Sequence, residues 1–466
     1  MDQKEYLLND QQMKKFIRDG YVTVQTDLPV EFHAAVFQQT ENVFEMEGNP
    51  GNNLLPRIPM IQEVFDDRWV NGALTSVLGK DYYLQPHRHC HYNPPNSNGQ
   101  NLHQDGGKRW SHYTRWLLAL YYPQETPEEL GPTGIIPKSH YYGNRDSIND
   151  ENEIPLCGKA GTVTITNYDL WHRAMPNSSS KKRYMMKFLF ARMSEPEVPS
   201  WNNQDTEWAS ADISQSDAEN DVKKFHQVWE WHCGQTNGNG HYPSSVTMLD
   251  STKIRELVEV LGQDSEPKCI DIAYAISEFG ANAVPALVKQ LESESEDIRR
   301  YAFCALSAIG KPAVSALITA TQHPDWWVRA SAAETLGNIG SSAQAAVPSL
   351  IRALQDESEQ VRQLAVEALG TIGQHDSTAV PDLALSLQDE NERVRRNSVL
   401  ALARLGRYAH QAVNDLQMVL SDDNRYVRGD AVHALRRIDT PEAREVLIQF
   451  LLKSRWCPLT SKESGY

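Results

Sequence analysis

The chain has 466 residues, with 45 Lys and Arg against 61 Asp and Glu, and a formal net charge of −16. A length above roughly 250–300 residues indicates more than one domain, and 40% hydrophobic with 23% charged residues exclude a mainly disordered chain. The acidic balance argues against a nucleic-acid backbone as the main partner, because phosphates require a cationic face.

The sequence also argues against secretion and membrane insertion. The first residues, MDQKEYLLNDQQ, are polar, and no stretch approaches the roughly 20 apolar residues of a membrane span. The six cysteines are scattered and form no Cys-x-x-Cys pair. In a chain of this length that pattern is typical of reduced thiols, so we expect a cytoplasmic protein without a disulfide framework or a zinc site.

Residues 1–245 begin with helical patterns. Asn9 or Asp10 can cap an amphipathic helix that ends at Gly20, just before the strand pattern YVTV. Further amphipathic helices are predicted around residues 30–47 and 62–78.

Alternating patterns typical of strands follow these helices. They cover residues 82–92, 114–122, 161–166 and 183–192, and clusters of Gly, Pro and Asn separate them. Short strands with turn signals after N-terminal helices predict a β-sandwich or barrel braced by helices. We assign this domain to residues 1–245, with a polar, extended segment at 195–245 that ends in a linker at 234–245.

The strongest chemical signal is LHQD, which contains His103 and Asp105. Residues i and i+2 of a strand project from one face, so the imidazole and the carboxylate converge. With a distant second His they form the facial triad of non-haem Fe(II) oxygenases, which leaves coordination positions open. His172, in YDLWHRAMPNSSS, is the candidate for that second His. Arg183, eleven residues later, is a cation that can bind a carboxylate without competing for the metal.

This order of motifs resembles the phytanoyl-CoA dioxygenase family over about residues 8–195. Supporting features are the N-terminal helix before DGYVTV and the stretch IPKSHYYGNR, which is similar to the family's Ile-Pro-Gly-Ser-His turn with Lys138 in place of Gly. The segment before Ile-Pro, GPTGI, departs from the family's acidic or Asn-Gly segment. Because this loop borders the substrate entrance in relatives, the resemblance does not identify the substrate.

The resemblance implies a double-stranded β-helix, or jelly roll, that uses Fe(II), 2-oxoglutarate as cosubstrate and O2. His103, Asp105 and His172 would hold the iron, and Arg183 would bind the distal carboxylate of 2-oxoglutarate. Two further cofactor-binding candidates follow from similar family positions. His91 aligns with a position that contacts 2-oxoglutarate, and Trp116 aligns with a pocket-lining position.

Three histidines alternate along the predicted strand at 82–92, namely His87, His89 and His91. Their spacing places all three on one face. They could form a second metal site, but a row of hydrogen-bonding groups that lines the barrel is the interpretation we favour.

The second half of the chain repeats itself. Aliphatic-Arg pairs recur at steps of 30, 33, 33 and 33 residues, at Ile298-Arg299, Val328-Arg329, Val361-Arg362, Val394-Arg395 and Val427-Arg428. Each pair opens an Ala-rich helix that ends in Gly, and a second helix lies between successive copies. An Asp ahead of most pairs is expected to cap the helix, at Asp325, Asp356, Asp389 and Asp422. This region resembles HEAT repeats, which stack into an all-α solenoid, over residues 254–455.

The two parts together predict an enzyme with a docking arm. The resemblance implies an oxygenase that hydroxylates an unactivated C–H bond of a small molecule, in a family that acts on acyl thioesters, amino acids and natural-product scaffolds. The alternative is a protein hydroxylase whose repeats bind the polypeptide substrate. A di-iron hydroxylase built from the repeats themselves is excluded, because it requires His-Glu pairs and the chain contains none. We expect a protein partner for the repeats, and neither nucleic acid nor membrane.

Overall fold

A computed structural model describes residues 3–106, 110–205, 207–208, 221–235 and 248–453. The chain divides into two compact units, the first with the described residues up to Trp208 and the second with those from Asp221 onward. Most of the predicted linker, 236–245, lies outside the described residues. No single described helix is long and apolar enough to cross a membrane, and one bent pair, Glu296–Ile309 with Lys311–Ala320, passes by length and composition.

The first unit contains short helices followed by strands, in the predicted order. Its helices are α1 (Asp10–Asp19), α2 (Val30–Glu47), α3 (Leu54–Arg57), α4 (Ile61–Asp66) and α5 (Arg68–Leu78). Its strands are β1 (Tyr21–Gln25), β2 (Tyr83–Asn93), β3 (Trp116–Tyr121), β4 (Thr133–Ile135), β5 (Ile154–Pro155), β6 (Thr162–Asn167), β7 (His172–Ala174) and β8 (Arg183–Ala191).

Side-chain caps fix where the first helices begin. Asn9 caps α1 by accepting from the backbone N–H of Gln12, and the Gln12 side chain accepts from the Asn9 N–H in return. Asp67 caps α5, which divides the predicted helix at 62–78 into α4 and α5. Each cap satisfies backbone donors that the first helical turn leaves free.

The strands form two antiparallel sheets. The larger has the order β1-β6-β3-β8-β2, and the smaller has the order β5-β4-β7. Isolated bridges extend the smaller sheet beyond β7, pairing Ser97 with Asn177 and His103 with His172. This arrangement confirms the predicted jelly roll, and it places the segment that carries His103 alongside β7.

The two faces of β8 have different partners. Its even-numbered residues meet the helices, since Phe188 packs on Phe65 of α4 and Tyr184 on Phe44 of α2. Its odd-numbered residues Met185 and Leu189 belong to the apolar cluster inside the jelly roll. Alternation along the strand therefore turns Arg183 and Lys187 toward the interior as well.

The second unit is all helical, which confirms the predicted solenoid. It begins with α6 (Asp221–His232), α7 (Met248–Glu259) and α8 (Glu266–Ser277). The following helices are α9 (Val284–Gln290), α10 (Glu296–Ile309), α11 (Val314–Ala320), α12 (Trp326–Ile339), α13 (Val347–Ala353), α14 (Glu359–Ile372), α15 (Val380–Leu385), α16 (Glu392–Leu405), α17 (Val413–Val419), α18 (Arg425–Ile438) and α19 (Pro441–Lys453). Helix α6 thus belongs to this unit, whereas the sequence boundary at residue 245 placed it in the first domain.

Neighbouring repeats are joined by a ladder of ion pairs. Arg362 donates from Nε and Nη2 to both carboxylate oxygens of Asp389 in the next repeat, at 2.8 and 3.1 Å. The same guanidinium donates to the carbonyls of Asp356 and Glu357 in its own repeat. Arg329 with Asp356 and Arg395 with Asp422 repeat this arrangement. The Arg of the repeat therefore has a precise structural role, which is to fix one repeat on the next.

The ladder corrects the predicted role of the repeat aspartates. Asp389 lies two residues before the N-cap position of α16, which Asn391 occupies. Its carboxylate accepts from the Asn391 backbone N–H, while the Asn391 side chain caps the helix. Asp325 does occupy an N-cap position, but its side chain makes no capping hydrogen bond.

Arg362→Met is expected to lower the free energy of unfolding of the repeat unit by about 2–3 kcal/mol, because it leaves the largely buried Asp389 carboxylate without its cation. The change is measured as a shift in the urea midpoint of the far-UV circular dichroism signal. Arg393→Met removes an exposed arginine from the second position of α16, is the control, and should shift stability by less than about 0.5 kcal/mol. Equal midpoints for the two variants would contradict the structural role of the ladder.

Candidate active site

His103 and His172 are held together by the backbone. The N–H of each residue donates to the carbonyl of the other at 3.0 Å, and the two imidazole rings lie 4.6 Å apart. Gln104 faces away and donates from its amide to the carbonyls of Tyr142 and Asp169. This anchoring leaves His103 and Asp105, on either side of Gln104, free to project together.

Backbone carbonyls select the ring nitrogen that each His presents. His103 Nδ1 lies 2.9 Å from the carbonyl of Asn101, and His172 Nδ1 lies 2.8 Å from that of Leu170. A carbonyl is an acceptor, so each Nδ1 carries its proton and Nε2 is the nitrogen that faces the site. Metal-binding histidines are usually oriented in this way.

Asp105 completes a cluster of three ligand atoms. Its Oδ1 lies 3.8 Å from His103 Nε2, and its Oδ2 lies 3.5 Å from His172 Nε2. One ligand atom from each residue lies within 4.8 Å of the others, and within the described parts of the chain this is the one group of its kind. The structure thus brings together the three residues that the sequence predicted as a triad. The donor set fits a divalent first-row metal with open positions.

The turn at residues 136–145 supports the strand that carries His172. Ser139 Oγ accepts from the backbone N–H of Trp171 and donates to the carbonyl of Ile136. Lys138 has a φ of +68°, a conformation that glycine adopts most readily. The family's turn usually has Gly at the position of Lys138. The positive φ at this position explains why glycine is preferred there.

Burial and charge set the protonation states of Asp105 and His103. Burial alone would raise the pKa of Asp105, but the contact with His172 and the charge of Lys187 outweigh it, and the pKa lies well below its usual range. Burial lowers the pKa of His103, partly offset by its bond to the Asn101 carbonyl. An ionised carboxylate and a neutral imidazole are the states that bind metal. His103 is also the most exposed of the three side chains, at 39%, so the cluster opens on its side.

Arg183 lies fully buried at the start of β8. Its Nε donates to the carbonyl of Gly131 at 2.9 Å, and Nη1 donates to the carbonyl of His91 at 3.4 Å. Nη2 is buried without a hydrogen-bond partner among the described residues. A buried guanidinium needs an anion, so the unused donor fits a ligand carboxylate.

The structure places His91 beside this arginine and Trp116 farther along the sheet. His91 is half-buried in a row of histidines, and its Nε2 lies 2.8 Å from Nε2 of His89. Burial, followed by the charge of Lys187, lowers the pKa of His91 to about 2, so the ring is neutral. Trp116 packs on the interior apolar cluster, with its ring 6.3 Å from that of Tyr168. Contact of either residue with a cosubstrate stays a prediction.

A comparison with protein families decides the class of this site. Residues 18–185 match the family described as phytanoyl-CoA dioxygenase, a span that includes the triad and Arg183. The N-terminal domain belongs to the phytanoyl-CoA dioxygenase family. It is therefore an oxygenase, as the sequence predicted, and the His-Asp-His cluster fits the non-haem metal site that the resemblance implies.

The second unit matches a different family. Residues 284–370, 314–403 and 380–457 each match the family described as HEAT repeats, which confirms the predicted class of the solenoid. A search of curated proteins gave no significant match.

Several solved structures resemble part of the chain. A nickel complex of the non-haem monooxygenase ThoJ is 12% identical, covers 48% of this chain and 96% of its own, and gives a TM-score of 0.34. The carbocyclase SnoK from nogalamycin biosynthesis is 17% identical over 40% of this chain and 85% of its own, with a TM-score of 0.34. EctD from S. alaskensis with bound Fe is 16% identical over 43% and 82%, with a TM-score of 0.34. Similarity of this degree says nothing about the substrate.

The oxygenase domain contains one site residue that the sequence prediction missed. Lys187 of β8 is buried, and its Nζ lies 2.6 Å from Asp105 Oδ2. A signal for it was present in RYMMKFLFAR, because a lysine interrupts an apolar strand four residues after Arg183 and therefore on the same face.

Proposed function

We propose that the oxygenase domain binds Fe(II) through His103, Asp105 and His172 and binds 2-oxoglutarate with the help of Arg183. We further propose that it oxidises an unactivated C–H bond of a small molecule, with hydroxylation as the simplest outcome. The observation that carries the proposal is the convergence of two imidazole Nε2 atoms and one carboxylate within 4.8 Å. Such a set occupies one face of a metal and leaves the other positions for ligands.

The position of Arg183 supports a dicarboxylate as cosubstrate. Lys187 contacts the triad through Asp105, and Arg183 lies four residues earlier on the same strand face. Arg183 and the triad therefore lie on the same inner side of β8, so a dicarboxylate that binds Arg183 through one carboxylate enters the interior that also holds the triad.

Each protein group has a definite task in this proposal. The metal, when bound, supplies activation of O2 at the expense of 2-oxoglutarate, which is the chemistry that the family resemblance implies. His103 and His172 hold it through Nε2, while the carbonyls of Asn101 and Leu170 fix their rings. Arg183 orients the cosubstrate, and the apolar cluster that includes Met185 and Leu189 limits water on the inner side.

The HEAT repeats are proposed to act as a docking arm for a protein partner. Repeats of this kind stack into an extended surface that is suited to binding another protein.

Anaerobic addition of Fe(II) and 2-oxoglutarate to the full chain tests the proposal. A visible metal-to-ligand charge-transfer band is expected, because the keto acid chelates iron at the open positions. Small molecules that shift the band identify candidate substrates. Wild-type protein that gives no band at saturating concentrations would overturn the proposed function.

A further inference from the structure

Lys187 is a buried cation in an otherwise apolar strand. The residue is 3% exposed, and its Nζ donates to Asp105 Oδ2 at 2.6 Å. Among the residues that the structure describes, Asp105 is the one carboxylate within ion-pair distance of this ammonium. Because an unpaired charge is costly in the interior, Lys187 depends on Asp105 as long as no other anion is present.

The same carboxylate is also the acidic member of the triad. Asp105 Oδ2 lies 3.5 Å from His172 Nε2 and Oδ1 lies 3.8 Å from His103 Nε2, so the carboxylate faces the position that the two Nε2 atoms offer to a metal. A divalent cation at the triad would share this single carboxylate with the ammonium. The two positive charges would repel each other strongly, since water is largely excluded around Lys187.

Arg183 does not relieve this imbalance. Its polar contacts are to the carbonyls of Gly131 and His91, which carry no net charge. The inner face of β8 would then present two cationic side chains, Arg183 and Lys187, next to a divalent cation at the triad, and among the described residues Asp105 is the one carboxylate paired with either side chain. A carboxylate ligand that enters with the metal supplies the missing negative charge.

We infer that Lys187 couples metal binding at the triad to the binding of an anion beside it. The site takes up a divalent cation weakly on its own and more tightly together with a carboxylate ligand. This inference rests on the proposed function, because it requires a metal at His103, Asp105 and His172. Lys187 is a positioning residue here, since it acts through Asp105 and through charge.

A titration of the full chain with Mn²⁺ tests the coupling without turnover. The electron paramagnetic resonance signal of free Mn²⁺ gives the affinity, with and without 2-oxoglutarate. Lys187→Met is expected to bind Mn²⁺ alone about tenfold or more tightly than the wild type, a factor typical of coupling between sites. The further gain in affinity on adding 2-oxoglutarate should be smaller in this variant. Lys187→Arg keeps the charge and should retain the weak binding of the wild type.

The sign of the effect separates coupling from a structural role. Damage to the site would weaken Mn²⁺ binding in Lys187→Met, and an unchanged or weaker affinity overturns the inference. Lys181→Met, which removes an exposed lysine of the same domain, controls for net charge. If Lys187→Met does not fold, Lys187→Gln provides the same comparison with Lys187→Arg. Failure of the proposed function would give a different result. The wild type would then bind no Mn²⁺, or His103→Ala would bind it as tightly as the wild type.

Discussion

His103→Ala is expected to abolish iron-dependent formation of succinate from 2-oxoglutarate while the fold is retained. The side chain supplies one of three ligand atoms and, at 39% exposure, makes little contribution to the core. Removal of a group that hydrogen-bonds to a metal ligand lowers metal affinity by about 10- to 100-fold, and removal of the ligand itself should lower it further. We therefore expect metal affinity to fall by at least ~100-fold, measured by titration with Mn²⁺ under equilibrium conditions.

The control for this experiment is another histidine at an exposed position. His410→Ala in the repeat unit removes the same side chain far along the sequence from the triad and should leave metal affinity and turnover unchanged. Circular dichroism spectra and melting temperatures of both variants should match those of the wild type. Undiminished succinate formation by His103→Ala would show that the metal is bound elsewhere.

The predicted strands were those with a clear alternation. The patterns at 82–92 and 183–192 correspond to β2 and β8, because each has one face on the helices and one in the interior. Strands β4 and β7 were not predicted, since three residues are too few to show a period. The smaller sheet, which pairs His103 with His172, could therefore be inferred from the family resemblance and not from periodicity.

The triad was predictable from the sequence, but the contact between Asp105 and Lys187 was not. The spacing of His103 and Asp105 dictates a common direction on an extended chain, whatever the rest of the fold. The contact of Asp105 with Lys187 joins residues 82 positions apart and depends on how the sheets close.

A similar limit explains why the role of the repeat aspartates was not predicted. An Asp before a helix fits either an N-cap or a turn two residues earlier, and the pairing of Arg362 with Asp389 decides between them.

The boundary between the units shows that composition can mislead. The segment 195–245 is polar overall, which favoured an extended chain. Within it, Phe225, Val228 and Trp229 recur at helical spacing and are buried in α6. The three-to-four residue period was a better guide than the average polarity, because one apolar face is sufficient to attach a helix to its unit.

Arg183→Met is expected to weaken 2-oxoglutarate binding far more than metal binding. The guanidinium is fully buried and has an unused donor in Nη2, so it contributes a charge-assisted contact that methionine cannot replace. Removal of one partner from a buried charge pair costs about 2–5 kcal/mol, which corresponds to roughly 30- to 4,000-fold in Kd. Isothermal titration of the Mn²⁺-loaded protein with 2-oxoglutarate measures the change.

The matched variants for this prediction separate charge from geometry. Arg183→Lys keeps the charge but loses the planar fork that also donates to the carbonyls of Gly131 and His91, so its Kd should lie between those of the wild type and Arg183→Met. Arg68→Met removes an exposed arginine and should not affect binding. Mn²⁺ affinity in the absence of 2-oxoglutarate should change far less in Arg183→Met than in Lys187→Met, because Lys187 contacts Asp105 and the polar contacts of Arg183 are to carbonyls. Equal affinity of Arg183→Met and the wild type for 2-oxoglutarate would show that another cation binds the distal carboxylate, and Lys187 would then be the residue to test.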